Sequence, residues 1–150
     1  MTVIYFNYKL YSVDKIKESD IYKLIKKAVI NNKLNCHLTR IESGLTLSGI
    51  PDLNVVYYSN LINKSVEFWL ELKSNNLKNC NVSKYQFNWI YNHMKAGGVA
   101  YILNKPLKLR GLKLYSVEPC HVLTEQLSVG YDTDGVLTLF NYIVKKHCVA

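Results

Sequence analysis

The sequence predicts a mixed α/β domain, and three observations support this fold class. Apolar residues recur at helical spacing over about residues 19–32 and again over residues 83–95. Apolar and polar residues alternate over residues 66–73, which is the pattern of a strand with one buried face. Residues 99–103 are almost wholly apolar, as in a strand buried on both faces. The order helix, strands, helix, strand indicates a sheet with helices packed against it.

Local signals predict where the elements begin and end. Ser19 or Asp20 can cap the first helix, and Asn31-Asn32 ends it. Ser83 begins the second helix, and Gly97-Gly98 ends it in the manner of a left-handed C-terminal cap. The remaining short elements before residue 66 are a strand or arm at 3–11, a strand at 36–41, a turn at Ser43-Gly44 and a strand at 53–58.

The last third of the chain predicts a strand at residues 112–117, a short helix at 119–127 and a final helix at 134–147. A wide apolar surface on this final helix suits either a helix packed in the core or a dimer interface, and the sequence leaves both open. The residues that form this surface or flank it are Val136, Leu137, Leu139, Phe140, Ile143, Val144 and His147.

Length and composition limit the class of protein. The 150 residues fit a single domain, residues 1–150. No apolar run is long enough to cross a membrane and the N-terminus lacks signal-peptide features, so a soluble, intracellular location is expected. The formal net charge of +8 favours a polyanionic partner, because each neutralised phosphate releases counterions. Four scattered cysteines without a C-x-x-C pair favour reduced thiols over disulfides or structural zinc.

Two short motifs carry the candidate chemistry. Asp52 follows Pro51 at the start of a predicted strand, and Glu71-Leu72-Lys73 lies 19 positions further on, on the next strand. Side chains two apart on a strand point to the same face, so Glu71 and Lys73 project together while Leu72 enters the core. If the two strands are neighbours, Asp52 and Glu71 can converge on one divalent ion beside Lys73.

This set of residues suits hydrolysis of a phosphodiester. Mg²⁺ binds through one or two carboxylates, polarises a phosphoryl oxygen and lowers the pKa of a bound water. An adjacent ammonium group can orient that water or stabilise charge in the transition state. Each motif also has an ordinary structural interpretation, because Pro-Asp is a common turn dipeptide and an E-x-K strand face is often solvated charge.

Taken together, the motifs resemble the VRR-NUC family (virus-type replication and repair nucleases) of the PD-(D/E)xK superfamily. The resemblance covers roughly residues 18–103 and leaves 104–150 as a C-terminal helical extension. It implies a restriction-endonuclease-like core, with a helix, a mixed central sheet of about four to five strands, a helix and a strand. The matching segments are Gly49-Ile50-Pro51-Asp52-Leu53, Glu67-Phe68-Trp69-Leu70-Glu71-Leu72-Lys73, Ser83-Lys84-Tyr85-Gln86-Phe87-Asn88-Trp89 and Ala96-Gly97-Gly98-Val99-Ala100.

The resemblance also implies roles for individual residues. Asp52, Glu71 and the backbone carbonyl of Leu72 would bind Mg²⁺ or Mn²⁺, and Lys73 would assist the attacking water. Glu18, before the first helix, would complete the metal site, with Asp20 as its nearest rival. Gln86 would lie near the site, although Ser83-x-x-Gln86 is also a capping box, and both interpretations stay open.

The expected function is a Mg²⁺- or Mn²⁺-dependent DNA endonuclease acting on branched DNA, such as a Holliday junction or a flap. The family implies a role in DNA repair or recombination, and its small stand-alone viral members resemble homodimeric Holliday-junction resolvases. A homodimer is therefore expected, in the host cytoplasm if a phage encodes the chain, with no membrane and no small-molecule cofactor besides the metal. The alternative is a non-catalytic DNA-binding module or a sequence-specific, restriction-type endonuclease on the same scaffold. No element suited to reading bases in a groove is apparent, which favours structure-selective cutting.

Overall fold

The computed structural model describes residues 16–42 and 49–148. The strand or arm predicted at residues 3–11 and the turn predicted at Ser43-Gly44 lie outside the described residues. Within the described residues, three helices and six strands form the fold. Their bounds are α1 Glu18–Asn31, β1 Asn35–Arg40, β2 Leu53–Ser59, β3 Lys64–Lys73, α2 Lys84–Lys95, β4 Ala100–Asn104, β5 Leu112–Glu118, β6 Val122–Val129 and α3 Thr133–His147.

The strands form one mixed sheet in the order β1-β2-β3-β4-β5-β6. The β3–β4 pair is parallel, with α2 as the crossover between the two strands, and the other four pairs are antiparallel. The predicted mixed α/β class is therefore confirmed, as is the order of helix, strands, helix and strand. The carboxyl ends of β3 and β4 meet at one edge of the sheet, and this edge also holds the start of β2.

One prediction about the C-terminal part is wrong. Residues 119–127 do not form a short helix, because a 3₁₀ turn at Pro119–His121 leads directly into β6. Pairing with the free edge of β5 overrides the local pattern of this segment. The predicted core, about residues 18–103, accounts for four of the six described strands, β1 to β4, and the C-terminal extension contributes β5 and β6 as well as a helix.

The sheet separates two apolar clusters. Helices α1 and α3 pack on one face against alternate residues of β2 and β3, among them Leu53, Leu70 and Leu72. Helix α2 packs on the other face, where Phe87 and Ile90 contact residues of β4 and β5. Glu71 and Lys73, which alternate with Leu70 and Leu72, therefore lie on the α2 side of the sheet.

Helix α3 is a core helix. Its apolar residues Val136, Leu139, Phe140, Ile143 and Val144 are all buried within the chain. Of the two roles that the sequence left open, packing in the core is the one observed, so this stripe is not available to a second copy. Among the described residues, no helix is both long enough and apolar enough to cross a membrane.

The helix ends agree with the sequence signals for α2 but not for the start of α1. Ser83 caps α2, and Gly97 lies just beyond its end with a φ of 99°. The predicted caps Ser19 and Asp20 are wrong for α1, because the capping residue is Lys17. Asp20 lies inside the first turn and accepts a 2.8 Å hydrogen bond from the Lys17 backbone nitrogen.

Candidate active site

The register of β2 and β3 brings Asp52 opposite Glu71. Leu53 pairs with Leu70, so one step further along both strands Asp52 faces Glu71. Directly opposed residues of antiparallel strands have Cβ atoms roughly 5 Å apart. The Asp52 side chain also continues the ladder, because its Oδ2 accepts a 2.8 Å hydrogen bond from the backbone nitrogen of Leu72. Asp52 is thereby held in place at the point where the two strands stop pairing.

Position 49, three residues before Asp52, requires glycine. Its φ is +98°, and a Cβ atom at this position would come within 2.5 Å of the Tyr85 carbonyl oxygen. Only glycine fits both the positive φ and this close approach to the first turn of α2. The Gly49-Ile50-Pro51-Asp52 segment is consequently packed against the same helix turn that carries Gln86.

Glu71 and Lys73 lie side by side and are both buried, with exposed fractions of 3% and 8%. The Lys73 Nζ atom is 3.4 Å from Glu71 Oε1. The same oxygen accepts a 2.8 Å hydrogen bond from Gln86 Nε2. Both neighbours therefore engage one oxygen of the Glu71 carboxylate, and Oε2 is buried with no hydrogen-bond partner among the described residues.

Gln86 makes both of the contacts that the sequence offered as alternatives. Its Oε1 accepts a 2.9 Å bond from the Ser83 backbone nitrogen, and its own backbone nitrogen donates to Ser83 Oγ at 3.2 Å. These two bonds form the capping box of α2. Because the cap occupies the amide oxygen, the amide nitrogen is left to face Glu71.

Burial dominates the electrostatics of Glu71. Loss of water, followed by the negative charge of Asp52 and a hydrogen bond to it, raises the pKa of Glu71 to about 8, against the opposing effect of Lys73. A protonated Glu71 can donate to Asp52, whereas the ionised group leaves Oε2 with no donor. The Asp52–Glu71 pair is thus suited to hold either one proton or one cation.

Glu18 lies within electrostatic reach of this pair. The residue is exposed at the start of α1, yet partial burial of its carboxyl group raises its pKa, with Lys73 lowering it and Asp52 raising it further. Asp20 accepts the capping hydrogen bond from Lys17, and its charge acts on Tyr131 instead. These contacts favour Glu18 over Asp20 as the third acidic group beside the site.

The donor set fits a hard divalent cation held by two carboxylates. Mg²⁺ is commonly bound by one or two carboxylates and keeps several waters. The Oε2 atom of the ionised Glu71 has no hydrogen-bond donor among the described residues, so it can serve as a ligand atom for the cation. Within the described residues 16–42 and 49–148, no three His, Cys, Asp or Glu side chains lie close enough together to hold a metal ion. Asp52 and Glu71 are therefore the core of the candidate site, with Glu18 further out.

The Leu72 backbone carbonyl also faces this region. The N–H and C=O groups of one strand residue point toward the same neighbouring strand. Since the Leu72 N–H donates to Asp52, its carbonyl points to the Asp52 side of β3. This placement is compatible with the role that the sequence resemblance implied for it.

One residue near the site was missed by the sequence reasoning. Asn104, the register partner of Lys73, is 2% exposed, and it exchanges two hydrogen bonds with the Asn75 backbone. The available signal was an asparagine at the end of the apolar run of β4. Trp69 packs edge-to-face on Trp89 of α2, with ring centroids 5.4 Å apart, so it supports the helix above the site.

Comparisons with known proteins find a structural similarity but no sequence match. No family model matches the chain, and no curated protein matches it. Among solved structures, the chain is similar to Hjc, a Holliday junction resolvase from Archaeoglobus fulgidus. The two share 14% sequence identity over 79% of this chain and 92% of that chain, with a TM-score of 0.45. A score of this size marks only partial overlap of the two chain paths. The described residues define a six-stranded α/β fold in which the buried Glu71 lies beside Asp52 and Lys73.

Proposed function

We propose that this chain is a divalent-metal-dependent DNA endonuclease of the PD-(D/E)xK type. The observation that carries the proposal is the buried, unpartnered Oε2 of Glu71, opposite Asp52 and beside Lys73. An orphaned carboxylate oxygen in a protein interior is costly unless a ligand satisfies it. When Glu71 is ionised, this oxygen has no hydrogen-bond donor among the described residues and is available to a cation.

The carboxylates of Asp52 and Glu71 and the carbonyl of Leu72 would hold the cation, and the carboxylate of Glu18, which lies further out, would add negative charge beside it. When bound, Mg²⁺ or Mn²⁺ supplies stabilisation of the negative charge that develops on the phosphoryl group. Glu71 releases its proton as the site fills, because the raised pKa leaves the empty site largely protonated at neutral pH. The affinity for the cation should therefore rise as the pH increases toward about 8.

Lys73 and Gln86 act on this centre in different ways. Lys73 directs its ammonium group into the site from the same strand face as Glu71, where it orients the attacking water and stabilises developing negative charge. Gln86 is a positioning residue, because its amide nitrogen fixes one oxygen of Glu71 and so leaves the other oxygen for the cation.

We further propose that the DNA substrate is branched. The sequence motifs resemble the VRR-NUC family, and no element suited to reading bases is apparent among the described residues, which favours recognition of DNA shape. Symmetric cutting of a four-way junction needs two sites, so the working form is a homodimer. The α3 stripe is buried in the core, and the dimer surface must therefore lie elsewhere.

Cleavage assays with a matched variant test this function. Labelled four-way junction, flap and linear duplex are incubated with wild-type protein in Mg²⁺, Mn²⁺ or EDTA, beside Glu71→Gln and Glu67→Gln. Glu67 is the matched control, because it lies four residues earlier on β3, on the same face of the sheet, and is exposed. We expect metal-dependent cleavage, fastest on the junction, that Glu71→Gln reduces on the order of 1,000-fold. Glu67→Gln should cleave at the wild-type rate.

Two results would contradict the proposal in different ways. DNA binding without cleavage under any metal would leave the non-catalytic DNA-binding module as the better description. Equal cleavage by wild-type protein and Glu71→Gln would place the catalytic centre elsewhere. Sedimentation analysis of the purified protein separately tests the homodimer, with a monomer at assay concentration as the contrary result.

A further inference from the structure

The positive charge of the chain is concentrated in one segment. Residues 72–117 contain seven lysines, one arginine and no aspartate or glutamate. The rest of the chain contains eleven basic and eleven acidic residues. The whole formal excess of +8 therefore lies in this segment, which begins at the candidate active site. Soluble surfaces ordinarily intersperse both signs of charge, so a stretch of this kind needs a reason.

The fold gathers most of this charge at the edge of the sheet that carries the site. Because β3 and β4 are parallel, the loops that follow them, residues 74–83 and 105–111, leave the same edge. Lys73, Asn104 and Lys113 are register partners across β3, β4 and β5, so the two loops lie next to the site. We call the exposed cations of this region the basic edge: Lys78, Lys84, Lys108 and Arg110.

Amide groups and one buried ammonium group, rather than carboxylates, hold these loops together. The Asn75 backbone nitrogen donates to Asn104 Oδ1 at 3.2 Å, and Asn104 Nδ2 donates to the Asn75 carbonyl at 3.0 Å. Asn76 Oδ1 accepts a 2.7 Å bond from the Leu107 backbone nitrogen. The buried Lys105 ammonium donates to the Pro106 carbonyl at 2.6 Å. The loops are thus ordered without a negative charge that would cancel the field of the basic edge.

Among the residues that the structure describes, no cation of the basic edge forms an ion pair. The ion pairs among the described residues are Lys73–Glu71 and Lys113–Glu125, and neither involves a basic-edge cation. The first turn of α2, which starts at Lys84, contains no acidic residue, so the positive end of the helix dipole is also uncompensated.

Clefts on either side of loop 105–111 give this surface a shape. A cleft of about 320 Å³ is lined by residues that include Asn76, Lys78 and Lys113. A second, of about 550 Å³, is lined by residues that include Lys108, Arg110 and the carboxylate-bearing Asp132. Both clefts are lined in part by cations of the basic edge.

We infer that the basic edge binds the backbone phosphates of the DNA on one side of the phosphodiester that is cut. The inference rests on the proposed function for the identity of the polyanion. The lysines of α1 (Lys23, Lys26 and Lys27) are equally exposed, but they lie on a helix that also carries Glu18 and Asp20, and they take no part.

Two triple variants with equal loss of charge test the inference. One replaces Lys78, Lys108 and Arg110 by glutamine, and the other replaces Lys23, Lys26 and Lys27 by glutamine. Fluorescence anisotropy measures binding of a labelled duplex in EDTA, so that no cleavage intervenes, over a series of salt concentrations. The basic-edge variant should bind on the order of 100-fold more weakly, with the salt slope reduced by roughly 3. The α1 variant should stay within about threefold of wild type, and thermal unfolding of both variants should match wild type.

The outcomes separate this inference from the proposed function. Equal weakening by the two variants, or unchanged binding by the basic-edge variant, would overturn the assigned surface. An absence of duplex binding by the wild-type protein would overturn it as well. If binding depends on the basic edge and yet wild-type protein cleaves no substrate, the inference stands and the nuclease proposal fails.

Discussion

Two buried polar clusters lie on opposite faces of the same sheet and differ in how completely they are satisfied. On the α3 face, Asn141 Oδ1 accepts bonds from Tyr57 Oη at 2.8 Å and Ser59 Oγ at 2.7 Å. Ser59 Oγ in turn accepts from the Ile62 backbone nitrogen at 3.2 Å. On the α2 face, the carboxyl group of Glu71 lies beside Asp52. Its Oε2 atom has no hydrogen-bond partner in the described part of the chain.

This difference separates a cluster that stabilises the fold from one that is kept for chemistry. A neutral network with its hydrogen bonds made contributes to stability and fixes the packing of α3 on the sheet. A carboxylate pair with a vacant acceptor costs stability, so its retention points to a ligand. Changes to the Asn141 cluster should therefore alter stability alone, whereas changes to the Glu71 cluster should alter activity, with stability unchanged or improved.

The largest expected effect is on catalysis. Lys73→Gln should lower the cleavage rate by roughly 100- to 1,000-fold, because the site loses the cation that stabilises developing charge. Lys64→Gln is the matched control at the other end of β3, where the ammonium donates to the Cys148 carbonyl at 2.7 Å. Single-turnover cleavage should be unchanged in the control. A loss of similar size in both variants would show that cleavage depends on the total positive charge of β3 and not on the position of Lys73.

The next effect is the dependence of stability on pH. The pKa of Glu71 is raised from 4.5 to about 8 in the folded protein, so the folded state holds this proton more tightly than the unfolded state. This contribution is fully present below about pH 4.5 and is lost as the pH rises through about 8. In EDTA, the stability gain of Glu71→Gln over wild type should therefore grow from near zero at about pH 4.5 to on the order of 3 kcal/mol near neutral pH.

Chemical denaturation at several pH values measures this gain. A stability difference between Glu71→Gln and wild type that stays constant with pH would contradict the raised pKa. Glu67→Gln serves again as the exposed control, and its stability should follow that of wild type at every pH.

A smaller effect is expected in the neutral cluster. Asn141→Leu removes the acceptor of two buried hydroxyl groups and should lower the free energy of unfolding by about 2 kcal/mol. Cleavage by the folded variant, assayed well below its unfolding temperature, should equal that of wild type. Reduced cleavage by the fully folded Asn141→Leu variant would contradict the assignment of the Asn141 cluster to stability alone.

The smallest effect concerns the helix cap that positions Gln86. Ser83→Ala removes the hydroxyl that accepts from the Gln86 backbone nitrogen and should cost about 1 kcal/mol of stability. Gln86 still accepts from the Ser83 backbone nitrogen, so its contact with Glu71 should persist and cleavage should change less than about threefold. A loss of cleavage larger than tenfold would mean that the hydroxyl itself orients the amide.

Local periodicity predicted most of the fold, because most core strands and helices bury one face by their own sequence, whereas β4 is almost wholly apolar and is buried on both faces. Leu70 and Leu72 alternate with Glu71 and Lys73, and this alone predicted that the charged pair shares a face. The segment 119–127 could not be predicted, since its strand conformation depends on pairing with β5, a contact between residues brought together by the turn at Cys120 and His121.

The candidate site was predictable as a set of residues but not as a charge state. The order of Asp52, Glu71 and Lys73 along two strands predicted that these side chains lie close together, and Asp52 precedes Leu53, which pairs with Leu70 beside Glu71. The vacant oxygen of Glu71 depends on which oxygen Gln86 and Lys73 engage, and that depends on how the α2 cap orients one amide. The loop bonds of Asn75 and Asn104 likewise follow from the parallel placement of β3 and β4.

The central claim is that Asp52 and Glu71 share one divalent cation, and a crystal soaked in Mn²⁺ tests it most directly. The account predicts an anomalous difference peak within roughly 2.0–2.4 Å of one oxygen from each carboxylate, the range of hard divalent ions. The same soak of Glu71→Gln crystals should show a weaker peak or none. A fully soaked wild-type crystal without a peak between these two side chains would contradict the account.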